Sequence, residues 1–198
     1  MTFHHTQGLA FRSARQEDAE DLAHFAVMAS KGLSKMTWEG LRQGDETAFD
    51  VGCRRAREGT GGFSYRNADV ALCDGKVISA IISYPITPSG PVDTSDVPPI
   101  FAPLIVLEEQ AAPSWYVNIL ATYPESRGIG AASALIALVE GRAKRRGHAR
   151  MSIIVDAANP AMDLYAHLGF VETSRVAFAK ATPEDPDGFW VLMIKPIS

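Results

Sequence analysis

The run WYVNILATYPESRGIGAASALIAL, from Trp115 to Leu138, decides the fold. It opens as an apolar strand carrying Tyr116, Val117, Ile119 and Leu120 and closes as an alanine-rich helix, with Pro124-Glu125-Ser126-Arg127-Gly128-Ile129-Gly130 turning one into the other. Two glycines one residue apart let the backbone approach a ligand closely. The helix that follows points its unpaired N–H groups and positive dipole end at the same place. Such a turn suits a phosphate or pyrophosphate. It is not a P-loop, which needs a lysine and a Ser or Thr after its last glycine. Gly128-Ile129-Gly130-Ala131-Ala132-Ser133 comes close to a dinucleotide-binding turn, with Asp156 about where a ribose-binding acid would lie. Too little chain follows Asp156 to complete the doubly wound sheet which that turn requires.

After one helix and one strand come Asn159, Ala161, Leu164-Tyr165 and Gly169-Phe170. With Arg127-Gly128-Ile129-Gly130 before them, in this order and at this spacing, the chain resembles the GNAT superfamily of acyl-CoA-dependent N-acetyltransferases. The resemblance implies an α/β (α+β) class, a GNAT-like three-layer fold whose mixed central sheet of about six to seven strands is flanked by helices. It also implies acetyl-CoA as the acyl donor. The pyrophosphate would rest on the backbone of Arg127, Gly128, Ile129, Gly130, Ala131 and Ala132. The pantetheine arm would lie along Leu120, Ala121 and Thr122, with the Leu120 N–H facing the thioester oxygen. Asn159 would cap its helix and contact that arm. Tyr165 matches the family tyrosine that acts as general acid, and a phenol with an ordinary pKa of ~10 is protonated at neutral pH. The family usually has Gln or Arg where Glu125 stands here, and this acid is expected to point outward.

Acyl transfer also requires a neutral amine, and several residues are candidates for the base. Tyr116 and Asn118 share a strand face with Leu120, and Glu108 or Glu109 can approach from the preceding loop. No metal is needed, and His24, His148 and His167 lack ligand spacing. The expected activity is N-acetylation of a primary amine on a small-molecule acceptor. The alternative is a catalytically silent domain that binds an acyl-CoA as a sensor or partner, and an NAD-binding oxidoreductase stands behind both.

Composition agrees with a folded domain. The 198 residues are 46% hydrophobic, enough for one domain with a substantial core over 1–198. Twenty-three acidic against 19 basic residues give a net charge of -4, which argues against bulk attraction to nucleic acid or an anionic membrane. Cys53 and Cys73 lie in unrelated segments and read as small core hydrophobes, and no signal peptide or membrane-length apolar run is evident, so a cytoplasmic location is expected.

Along the chain, 1–8 reads as a flexible tail, Leu9 to Ala14 as a strand and Glu17 to Ala29 as a helix. Thr37 to Glu58 reads as two short helices, the second capped by Asp45, with Trp38 and Phe49 as candidate acceptor-wall aromatics whose alternative is the core. Phe63 to Cys73 and Lys76 to Tyr84 form a hairpin through Asp74-Gly75. Seven prolines between 85 and 113 mark a long loop, a lid or acceptor wall, with Pro103 able to start a short helix and a dimerisation surface as the alternative. A helix from Ile129 to Arg146 buries Ile129, Ala132, Leu135, Ile136 and Val139 and is closed by Gly147; the basic residues of its last turn read as solvated charge. Met151 to Val155 is an apolar strand, Pro160 to His167 a helix capped by Asn159, and Val171 to Ala179 pairs with Phe189 to Ile194.

Overall fold

The computed structural model describes residues 8–90, 94–95, 97–180 and 187–198; the expected N-terminal tail lies almost wholly outside them. Seven strands, β1 (Leu9–Ser13), β2 (Ala68–Cys73), β3 (Lys76–Ile86), β4 (Ser114–Thr122), β5 (Arg150–Asp156), β6 (Val171–Ala177) and β7 (Phe189–Pro196), line up in the order β1-β2-β3-β4-β5-β7-β6. β4 pairs with β5 in parallel, whereas β1 with β2, β2 with β3, β5 with β7 and β6 with β7 are antiparallel. The sheet is therefore mixed, as expected. The helices flanking it are α1 (Ala19–Ala29), α2 (Leu33–Glu39), α3 (Ala48–Arg57), α4 (Ala102–Ala111), α5 (Ala131–Arg145) and α6 (Ala161–His167). The chain divides into two compact units, 1–83 with 118–139 and 84–117 with 140–198.

In the first unit, α1, α2 and α3 pack on one another. Leu22, Phe25 and Val51 are fully buried, each worth roughly 1.5–3 kcal/mol relative to an exposed position. Arg15 leaves the start of α1 without a hydroxyl cap, and Asp18, just ahead of the helix, makes no side-chain cap either but ties down the segment leading into it. Its carboxylate accepts the Arg15 N–H at 2.7 Å and both Arg12 guanidinium nitrogens at 2.6 and 2.9 Å. Burial works against that charge, but these donors prevail and hold the Asp18 carboxyl below its usual range. Asp74 and Gly75 both have positive φ, 49° and 77°, as their hairpin turn demands.

The local expectations need three corrections here, and one open alternative is decided. Thr47, not Asp45, caps α3: its Oγ1 accepts the Asp50 N–H at 3.2 Å while Asp50 accepts the Thr47 N–H at 2.9 Å. The preceding helix is Leu33–Glu39, earlier than the pattern from Thr37 indicated. β2 begins at Ala68, because Ser64 accepts the Arg66 N–H and holds Tyr65–Asn67 in a short 3-10 turn. Trp38 belongs to the core rather than an acceptor wall, at 2% exposure with its ring 5.5 Å from that of Phe63. Its indole also covers Gly52, where a Cβ would lie 2.5 Å from Trp38 Cζ3. Gly52→Ala is therefore expected to lower the melting temperature: overpacking costs about 1–3 kcal/mol and outweighs the roughly 1 kcal/mol that alanine adds in a helix.

In the second unit β5, β6 and β7 form the sheet and α4 packs on all three. The proline-rich stretch is less of a loop than expected. β3 runs on through Pro85 to Ile86, and Pro99–Phe101 form a 3-10 turn that leads into α4, with Pro103 in the helix's first turn. Leu107 is fully buried as expected, whereas Leu104 is only half-buried. Positions 91–93 and 96 of the stretch lie outside the described residues. Where β4 pairs with β5, the hydroxyls of Ser114 and Ser152 hydrogen-bond at 2.6 Å, both buried. Arg146 is not wholly solvated charge, since its guanidinium lies 5.4 Å from the Trp115 ring centroid. Among the described residues no helix is long and apolar enough to cross a membrane, and no three His, Cys, Asp or Glu side chains gather to hold a metal.

Candidate functional site

The glycine turn lies entirely in the first unit. β4 ends at Thr122, Pro124–Ser126 make a 3-10 turn, and α5 starts at Ala131, two residues later than the apolar pattern indicated. The reason is conformational. Gly128 and Gly130 have φ of 81° and 85°, which no helix accommodates, so Ile129 is left in the turn, 44% exposed, and Ala131 takes the buried place. Ala132 is half-buried rather than buried. The N–H groups of Ala131, Ala132 and Ser133 have no helix carbonyl one turn behind them, and the first that does, Ala134, donates to Gly130 O at 3.0 Å. A Cβ built on Gly128 or Gly130 would meet nothing within 4 Å, so a ligand has open access to this backbone. Together these features fit a phosphate group.

The remaining residues expected near the donor in this unit are also placed. Arg127 is exposed, and its Nε donates to Thr122 O at 3.3 Å. Glu125 is exposed, as expected. Asn118, Leu120, Ala121 and Thr122 are half-buried on β4. Ser79 from β3 donates to Ala121 O at 2.8 Å, and its Oγ lies 2.8 Å from Thr122 Oγ1, so the threonine hydroxyl donates in return.

The second unit holds Tyr165, Asn159 and Glu108. Asn159 Oδ1 accepts the Ala161 N–H at 2.9 Å, the expected cap of α6. Tyr165 is 4% exposed, and its ring meets Phe170 edge-on at 6.1 Å. Burial pushes its phenol up to about 12, so it remains a proton donor far above neutral pH. Glu108 projects from α4 and hydrogen-bonds Tyr116, which is 4% exposed and meets the Tyr84 ring edge-on at 5.9 Å. Much of the Glu108 residue touches solvent, yet its carboxyl is crowded by these rings. The loss of water raises its pKa, and the bond from Tyr116 offsets only part of that rise. Tyr116 is thereby engaged with Glu108. Beside it, Glu109 Oε1 is buried without a hydrogen-bond partner among the described residues. Tyr84 was not a candidate from sequence, since no spacing links the end of β3 to α4.

Residues 102–181 match the family model described as acetyltransferase (GNAT) domain. No curated protein matches the chain by sequence. Among solved structures, the chain is similar to an N-acetyltransferase from Staphylococcus aureus Mu50, at 20% identity and TM-score 0.62, covering 93% of this chain and 99% of that one. It is similar to a Drosophila melanogaster polyamine N-acetyltransferase that forms N-acetylagmatine, at 18% identity and TM-score 0.64, covering 95% and 99%. It is also similar to the ribosomal-protein-S18-alanine N-acetyltransferase of Escherichia coli, at 18% identity and TM-score 0.58, covering 96% and 94%. At these identities the structural likeness concerns the fold. Over residues 102–181, then, the chain matches a GNAT acetyltransferase domain, and it shares the fold of these N-acetyltransferases.

Proposed function

We propose that the protein N-acetylates the primary amine of a small molecule by direct attack on acetyl-CoA. The observation that carries this reading is the glycine turn, with both glycines at positive φ and open backbone ahead of α5. Arg127 to Ala132 bind the pyrophosphate through N–H groups, and Leu120 to Thr122, with Asn159, bind the pantetheine arm. The amine nitrogen forms a bond to the thioester carbonyl carbon, the C–S bond breaks, and the departing thiolate takes the Tyr165 proton. Glu108 accepts the proton that the amine releases, with Asn118 orienting a water as the alternative route. Glu109 supports a cationic acceptor, because its buried carboxylate oxygen gains a hydrogen-bond donor when an amine binds.

Two tests follow. Acetyl-CoA should raise the melting temperature, since it binds the native state alone, and an amine panel should release free thiol. Binding without thiol release for any amine would leave a silent acyl-CoA domain, and stabilisation by NAD but not by CoA would overturn the reading. For the base, the active form of Glu108 is the carboxylate. Activity should therefore rise with pH through a pKa above the ordinary glutamate range of ~4.3. Glu108→Gln should lower kcat by about 10²-fold and remove that limb; an unchanged pH profile would exclude Glu108.

A further inference from the structure

The exposed turn from Arg127 to Gly130 takes its position from its anchors, and these converge on Tyr123, four residues before it. The Tyr123 N–H donates to Ile78 O on β3 at 3.0 Å, and the Tyr123 carbonyl accepts the Ser126 N–H at 2.9 Å, which opens the 3-10 turn. Pro124 O then accepts the Arg127 N–H at 3.3 Å. The backbone thus fixes where the strand ends. It does not tie the turn to a helix; the Tyr123 side chain does. Its hydroxyl donates to Asp21 Oδ1, in the first turn of α1, at 2.6 Å, and its ring lies 4.5 Å from that of Phe25. A charge-assisted bond of this length is among the stronger kinds, and the N-terminal end of α1 favours the carboxylate that accepts it.

We infer that Tyr123 and Asp21 form a latch that sets the glycine turn for coenzyme A, so that both are positioning residues for the donor and neither touches the reacting atoms. The inference rests on the proposed donor site. Without the latch the turn keeps its glycine conformations but samples more orientations, and binding must then select the competent one. Donor affinity suffers while the chemical step, once the donor is bound, does not.

The experiment uses the whole chain, with coenzyme A and acetyl-CoA as probes. Tyr123→Phe keeps the ring on Phe25 and removes the hydroxyl. It should raise Kd for coenzyme A and KM for acetyl-CoA about tenfold, with kcat at saturation changed by less than about twofold. Asp21→Ala should do the same, and the double variant should be no worse than either single one, since one contact is lost in each case. Asp21→Asn, whose amide oxygen still accepts, should retain near-normal affinity. A merely structural role would lower the melting temperature without this split and without the asparagine rescue. Unchanged affinity in folded Tyr123→Phe, or additive single effects, would overturn the latch. Failure of the unaltered protein to bind coenzyme A would overturn the donor site itself, which is a distinguishable result.

Discussion

Tyr165→Phe should lower kcat by on the order of 10²-fold while acetyl-CoA affinity and melting temperature barely change. The substitution keeps the edge-on contact with Phe170 and removes one oxygen from a residue that is 4% exposed. Losing a hydroxyl from so enclosed a place costs the fold little. On the proposed mechanism, what is lost is the proton for the departing thiolate, which must then come from water. The pH profile adds a second mark. With its phenol at about 12, Tyr165 should sustain activity well past the pH at which an ordinary tyrosine ionises, ~10. Steady-state kinetics and a melting curve on both proteins decide the matter: full activity in the phenylalanine variant removes Tyr165 from the mechanism, and lost stability with retained activity makes it a packing residue.

Gly130→Val should weaken coenzyme A binding by about 10²-fold or more, a larger loss than its effect on folding would suggest. Two costs combine. At φ 85° a β-branched residue is strained, by roughly 1–2 kcal/mol or more, and part of that falls on the unliganded protein. Beyond its chain neighbours the side chain meets no protein atom within 4 Å of its Cβ, so it occupies the open space through which, on the proposed binding mode, a phosphate reaches the N–H groups of α5. Gly128→Val should behave alike. Calorimetric titration beside a denaturation curve separates the two costs, and normal affinity in a well-folded Gly130→Val protein would remove the turn from the donor site.

The elements easiest to read from sequence were those with local causes. Asp74-Gly75 announced its hairpin because both residues must take positive φ, and Asn159 announced α6 because its cap lies two residues away. Errors arose where a local pattern was overridden by a neighbour. Ile129 fits the apolar stripe of α5, but the conformation of Gly130 ends the helix before reaching it. Asp45 is a good cap, but Thr47 with Asp50 forms a reciprocal pair that wins. Ser64, which accepts the Arg66 N–H, stops a run of β-formers from pairing. The candidate site shows the same division. The glycine turn is contiguous, so its two glycines were legible although the start of α5 behind them was not, whereas the Tyr84, Tyr116 and Glu108 cluster joins two strands and a helix from an otherwise irregular proline-rich stretch. The Tyr123 to Asp21 contact spans most of a unit's sequence and leaves no spacing signature.

The hydroxyl pair of Ser114 and Ser152 constrains how this sequence can drift. Replacing either serine with alanine strands the other hydroxyl in a dry interior, at a cost of about 1–3 kcal/mol, whereas replacing both with apolar residues of similar shape is nearly neutral. The two positions are thus separated from an apolar pair by a valley that a lineage crosses only with stability to spare, and exchange at one should follow quickly on exchange at the other.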